Sequence, residues 1–155
     1  MLFDILAGIE GLPAVNALKV SFVVYPLINA LHILSIGATV TCVLLMDLRI
    51  LGVGGGVARR PLLHLLREAI AFAFPVAVLS GLALFSIRAQ EYATNQAFLI
   101  KMALLALAGV NLLAFRLLPQ PAGDTVYPIA ARLLAALSML LWVSILVAGR
   151  FIGFI

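Results

Sequence analysis

The sequence predicts an all-α integral membrane protein, a four-helix bundle preceded by a short N-terminal interfacial helix. Three observations predict it. First, 65% of the 155 residues are hydrophobic and 10% are charged, whereas a soluble domain has about half its residues apolar and about a quarter charged. Second, the apolar residues gather into four runs, each near the roughly 20 residues that cross a hydrocarbon core. Third, Gly, Pro and Arg collect in the breaks between runs. The length allows one domain, residues 1–155. No connection is long enough for a soluble domain or a lid.

In Met1 to Lys19, Leu2, Ile5, Leu6 and Ile9 share a helical face, and Asp4 and Glu10 are acidic. A secretory signal carries a basic n-region and a small-residue cleavage site. Neither is present, so the segment is expected to remain as an interfacial helix, broken at Gly11 and restarted by Pro13.

The first span is expected over residues 20–46, with Pro26 as a kink or a helix start, and it stops at Asp47-Leu48-Arg49. The Gly52–Pro61 stretch is a flexible turn. It is not a phosphate loop, because no Lys-Ser or Lys-Thr follows its glycines. A second span covers 65–87 with Pro75 near its middle, and Arg88 to Gln96 is a polar connection. The third covers 97–115. A turn from Pro119 to Asp124 leads to the fourth, 127–148.

Arg49, Arg59, Arg60, Arg67, Arg116 and Arg132 gather on one side, against Lys19, Arg88 and Arg150 on the other. Basic residues mark the cytoplasmic side. The Arg-rich loops are therefore expected in the cytoplasm, with both termini outside, in a bacterial inner membrane. The formal charge of +4 then reads as topology signal and lipid contact, with no nucleic-acid partner expected. The single cysteine, Cys42, excludes an internal disulfide and reads as a small core residue.

Embedded polar residues are the evidence for function, because they are costly in a bilayer. At about 100° per residue, His32, Ser35, Thr39, Cys42 and Met46 share one face about 80° wide, with Asn29 nearby. This stripe should face the bundle interior. Ser35 and Thr39 are expected to bond between helices and to permit close packing. His32 lies about 4 to 5 Å to the outer side of its span's centre, and Lys101 about 9 Å to the outer side of the third span's centre. Lys101 either snorkels to the outer interface or shares a site with His32. His64 falls about 20 Å from His32 along the membrane normal, too far to share one iron, and reads as interfacial. Asp47, Arg49, Arg67 and Glu68 are expected to form an inner-rim charge network. Asn111 can bond across helices, Met102 and Met139 are soft side chains, and Arg150 can meet a lipid phosphate or an anionic ligand group.

Two resemblances add to this reading. Tyr25-Pro26-Leu27-Ile28-Asn29-Ala30-Leu31-His32-Ile33-Leu34 and Met46-Asp47-Leu48-Arg49-Ile50-Leu51-Gly52 resemble motifs of a family of uncharacterised bacterial four-helix membrane proteins. So do Asn95-Gln96-Ala97-Phe98-Leu99-Ile100-Lys101-Met102 and Ala148-Gly149-Arg150-Phe151-Ile152-Gly153. More distantly, the chain resembles the superfamily of copper-resistance protein D and HemJ-type protoporphyrinogen oxidases. That resemblance implies b-type haem bound through His32, with Lys101 as the matching lysine. The HemJ pattern has a further His after the Lys, where the nearest polar residue here is Asn111, so haem binding is implied rather than protoporphyrinogen oxidation. The expected function is membrane electron transfer, with His32 as metal ligand and Lys101 and Arg150 toward the propionates. A small proton or copper transporter, or an accessory subunit of a homo-oligomer or larger membrane complex, remain the alternatives.

Overall fold

The computed structural model describes residues 1–119 and 126–153. All regular structure among them is α-helical: α1 Leu2–Glu10, α2 Pro13–Val20, α3 Val24–Leu51, α4 Arg59–Ile87, α5 Ala89–Thr94, α6 Gln96–Arg116 and α7 Ile129–Phe151. The expected 119–124 turn lies, beyond Pro119, outside the described residues.

The N-terminal segment breaks at Gly11 and restarts with Pro13 in the first turn of α2. Four helices, α3, α4, α6 and α7, are long and apolar enough to cross a membrane. The chain is thus an all-α, multi-pass membrane protein. The end that carries α1, α2 and α5 is called outer below, and the end with the α3–α4 turn inner.

The helices outrun the apolar runs. The first extends through Asp47-Leu48-Arg49 to Leu51 instead of stopping at the charges. Hydropathy marks where lipid ends, whereas the backbone ladder continues to the first residue able to close it. Gly52 is that residue. Its φ of 101° is left-handed, and the Val53 N–H reaches back to the Leu48 carbonyl at 3.0 Å. Pro26 falls in the first turn of α3, where its missing N–H costs nothing, so it marks the helix start. The polar connection over 88–96 contains α5. Asn95 then caps α6 by accepting the Phe98 N–H at 3.0 Å.

Packing follows the small residues. Ala73, Ala77 and Ser80 of α4 are buried, as are Ser35 and Thr39 of α3, which lets these backbones approach closely. Ala131 and Ala135 of α7, each 1% exposed, pack with Ile50 and Tyr127. Ala108 of α6 packs with Leu141 and Ile145 of α7. Large side chains such as Phe72, Leu79, Val110 and Leu133 point outward, as lipid-facing residues do. A Leu at position 135 has no room between α3 and α7. Ala135→Leu is expected to cost about 1–3 kcal/mol, read as earlier unfolding in a denaturing-detergent titration. Leu133→Ala, on a side chain 64% exposed, should barely move it.

Three seams of the bundle are close: α3 with α4, α3 with α7, and α6 with α7. The fourth is open, since no Cα of α4 comes within 8 Å of one in α6. Aromatic rings bridge it at the outer end. Phe85 stacks on Phe98 at 5.3 Å, and Tyr92 of α5 lies 6.2 Å and 5.7 Å from the two rings. Burial, and secondarily the Tyr25 phenol, push the Tyr92 phenol above its ordinary value, so this lid stays uncharged in neutral solution.

Candidate functional site

His32 is half-buried on α3 and meets α4 below the aromatic lid. Its Nδ1 lies 3.0 Å from the Ser80 Oγ. The two residues share a depth because α3 and α4 run antiparallel: His32 is about 12 Å below Val24, and Ser80 about 10 Å below Ile87. The imidazole packs directly on Gly81, where a Cβ would come within 2.9 Å of its Cε1.

The pair fixes the tautomer. Ser80 has one hydroxyl proton, and its Oγ lies 2.6 Å from the Val76 carbonyl and 3.2 Å from that of Ala77. That proton is therefore committed to its own helix, and the Ser80 oxygen is an acceptor toward the ring. His32 must donate through Nδ1–H. A neutral imidazole carries one N–H, so Nε2 holds the lone pair. The Ala77 carbonyl is a further acceptor beside the ring. Removing the Ser80 oxygen removes a bond worth about 1 kcal/mol. Ser80→Ala is expected to shift the tautomer ratio about fivefold toward Nε2–H, read from the 15N shifts of labelled histidine in a His64→Gln background.

Lys101 is half-buried and does not simply extend into solvent. Its Nζ lies over Gly149 of α7, 3.6 Å from where a Cβ would stand. From there its charge acts on the His32 ring. His32 against α4 and Lys101 from α6 thus flank the seam that the backbones leave open. Arg150 follows Gly149 at the outer end of α7 and is exposed.

The rest of the polar stripe is divided. Ser35 and Thr39 are buried as expected, but they do not bond between helices. Ser35 donates to the His32 carbonyl at 3.0 Å and Thr39 to the Ser35 carbonyl at 2.8 Å, each within α3. Cys42 and Met46 are half-buried, and Asn29 is exposed. Met102 is exposed and Met139 half-buried. Asn111 does bond across helices, donating to the Leu134 carbonyl at 3.1 Å. His64 is exposed, 3.4 Å from Glu68 on the next turn, and about 24 Å below Ser80 along α4.

The inner-rim charge network does not form. Among the described residues no ion pair joins Asp47, Arg49, Arg67 and Glu68. Glu68 faces His64, Arg49 donates to the Val57 carbonyl at 3.1 Å, and Arg67 is exposed. Asp47, only 6% exposed, turns instead to Ser138 of α7. Charges of suitable spacing shared a helix end but pointed to different surroundings. Ser80, Gly81 and Gly149 carry the site's geometry and were not singled out from sequence for it. The one signal was a Ser-Gly pair in an apolar run at the depth of His32.

Fold and site define a multi-pass membrane protein with an oriented histidine and a lysine in the outer half of its bundle. The chain belongs to the family of unknown function DUF6644, whose model matches residues 19–155. Helix α1 precedes the matched region. No curated protein and no solved structure matches the chain, so the copper-resistance and HemJ-type resemblance gains no support there.

Proposed function

We propose that this chain holds a b-type haem at His32, in the outer half of its bundle, and serves electron transfer within a bacterial cytoplasmic membrane. The observation that carries the reading is the His32–Ser80 pair. A histidine that ligates a metal donates its other ring N–H to an oxygen acceptor, which fixes the ring and leaves the opposite nitrogen basic. His32 is held in that way before any ligand arrives.

The residues fit a haem held by one protein nitrogen. Gly81 gives the imidazole room to pack against α4 beside Ser80, space that any larger residue would fill. The open α4–α6 seam places no backbone across the approach between His32 and Lys101. A bound haem iron supplies a one-electron couple. His32 would offer Nε2 to it, Ser80 would set the ring's orientation, and Lys101 and Arg150 would offset propionate charge. Phe85, Tyr92 and Phe98 would limit water from the outer end. Haemin titrated into the purified chain in detergent tests this. A saturable Soret band at one haem per chain is expected, and partition no different from that into empty micelles would refute the reading.

A further inference from the structure

A second polar site lies in the inner third of the bundle. Among the described residues, the buried side-chain polar atoms with no hydrogen-bond partner are Asp47 Oδ2, Arg49 Nε and Asn111 Oδ1. Asp47 is 6% exposed and Asn111 7%. Buried polar atoms in folded proteins are almost always paired, and an orphan marks a missing water, ion or ligand. These orphans are not scattered. Asn111, from α6, donates to the Leu134 carbonyl of α7. Asp47, from α3, lies within hydrogen-bonding reach of Ser138, one turn further along α7. The residues that carry these two unsatisfied oxygens come from different helices and bond to positions one turn apart on a third.

The charge balance is equally specific. Arg49, two residues beyond Asp47, is committed to the Val57 carbonyl. Toward the inner end the other helices carry Arg59 on α4, lying over the Tyr127 ring at 4.8 Å, with the exposed Arg60, His64, Arg67 and Glu68 on the same helix, Arg116 on α6 and Arg132 on α7. No ion pair joins any of them to Asp47 among the described residues. A carboxylate buried without a counter-cation is strongly disfavoured. One bound positive charge would remove that penalty and satisfy the orphan oxygens together.

We infer that Asp47, Asn111 and Ser138 form a binding site for one monovalent cation, Na⁺, entered from the inner end. The donors are a carboxylate, an amide oxygen and a hydroxyl, all hard oxygens of the kind such cations take. Their single negative charge matches one positive charge rather than two. Asp47 lies about 6 Å above Leu51, within one turn or so of the inner rim. The site is independent of the His32 reading, shares no residue with it and stands if that reading fails.

A hydrophobic carbodiimide, which adds to protonated carboxyl groups, tests it on the full chain in liposomes, with mass spectrometry to locate the adduct. Labelling is expected at Asp47 and lost in Asp47→Asn. Suppression by Na⁺, but not by choline at equal ionic strength, identifies Na⁺ as the occupant. Labelling indifferent to Na⁺ that falls as pH rises marks an ordinary protonated carboxyl and overturns the inference, as does the lack of any adduct at Asp47. Ser138→Ala and Asn111→Leu should weaken the protection by Na⁺. The wild-type response decides it even if a variant fails to fold.

Discussion

His32→Ala abolishes saturable haem binding and leaves the helical content unchanged: that is the largest effect expected. The ring supplies the one nitrogen lone pair that the site presents in a fixed direction. Lys101 and Arg150 can offset charge, but as cations they carry no lone pair for iron, whereas His32 is oriented by Ser80 with its Nε2 lone pair available. The truncation removes a half-buried side chain that leans on a glycine, so the α3–α4 seam loses little packing. Circular dichroism should be unchanged while the Soret titration becomes unsaturable. His64→Ala is the internal comparison. That side chain is exposed and contacts Glu68, so its loss should leave the titration as in the wild type. Equal loss in both variants would mean that haem binding is not located at His32.

Gly81→Val should have the second largest effect, although it removes no polar atom. A Cβ at this position stands 2.9 Å from the His32 Cε1, closer than carbon atoms approach. The helix backbone cannot give, so the imidazole must leave its place and surrender the Ser80 bond. A loss of about 1.4 kcal/mol or more is expected, a tenfold or greater fall in haem affinity. Gly37→Ala is the control. Nothing lies within 4 Å of a Cβ there, and replacing a helical glycine should stabilise α3 by about 0.5–1 kcal/mol without touching affinity. If Gly81→Val binds haem like the wild type, the ring does not occupy the position described.

The four long helices were legible because hydropathy reports contact with lipid, and each run is long enough to span. Their ends were less legible. Asp47 and Arg49 read as a boundary, yet both lie inside α3, which ends at the residue able to take a left-handed turn. The break at Gly11 and the restart at Pro13 were visible because those residues act locally. Helix α5 was not visible, since a polar stretch of six residues carries no periodicity to distinguish it from a loop.

For the site, depth was legible and direction was not. Counting residues from the span ends placed His32 and Lys101 in the same half, and the structure brings the Lys101 charge within reach of the His32 ring. That Ser80 would be the partner of His32 depends on how α3 and α4 rotate about their axes, which their own sequences do not encode locally. The same holds for Asp47. Its spacing suggested pairing with Arg49, Arg67 and Glu68, but its position on the helix turns it toward α7 and Ser138. Ser35 and Thr39 show a further limit. A hydroxyl on a helix always has its own backbone carbonyls as competing acceptors, and here both take them.

The central claim is that the outer-half site carries a redox-active haem, and a reduced-minus-oxidised difference spectrum of membranes containing the chain tests it most directly. Wild-type membranes should show the sharp α-band of a b-type haem on reduction, absent from membranes with His32→Ala expressed to the same level. Identical spectra from the two, or no b-type signal above that of membranes without the chain, would contradict the account.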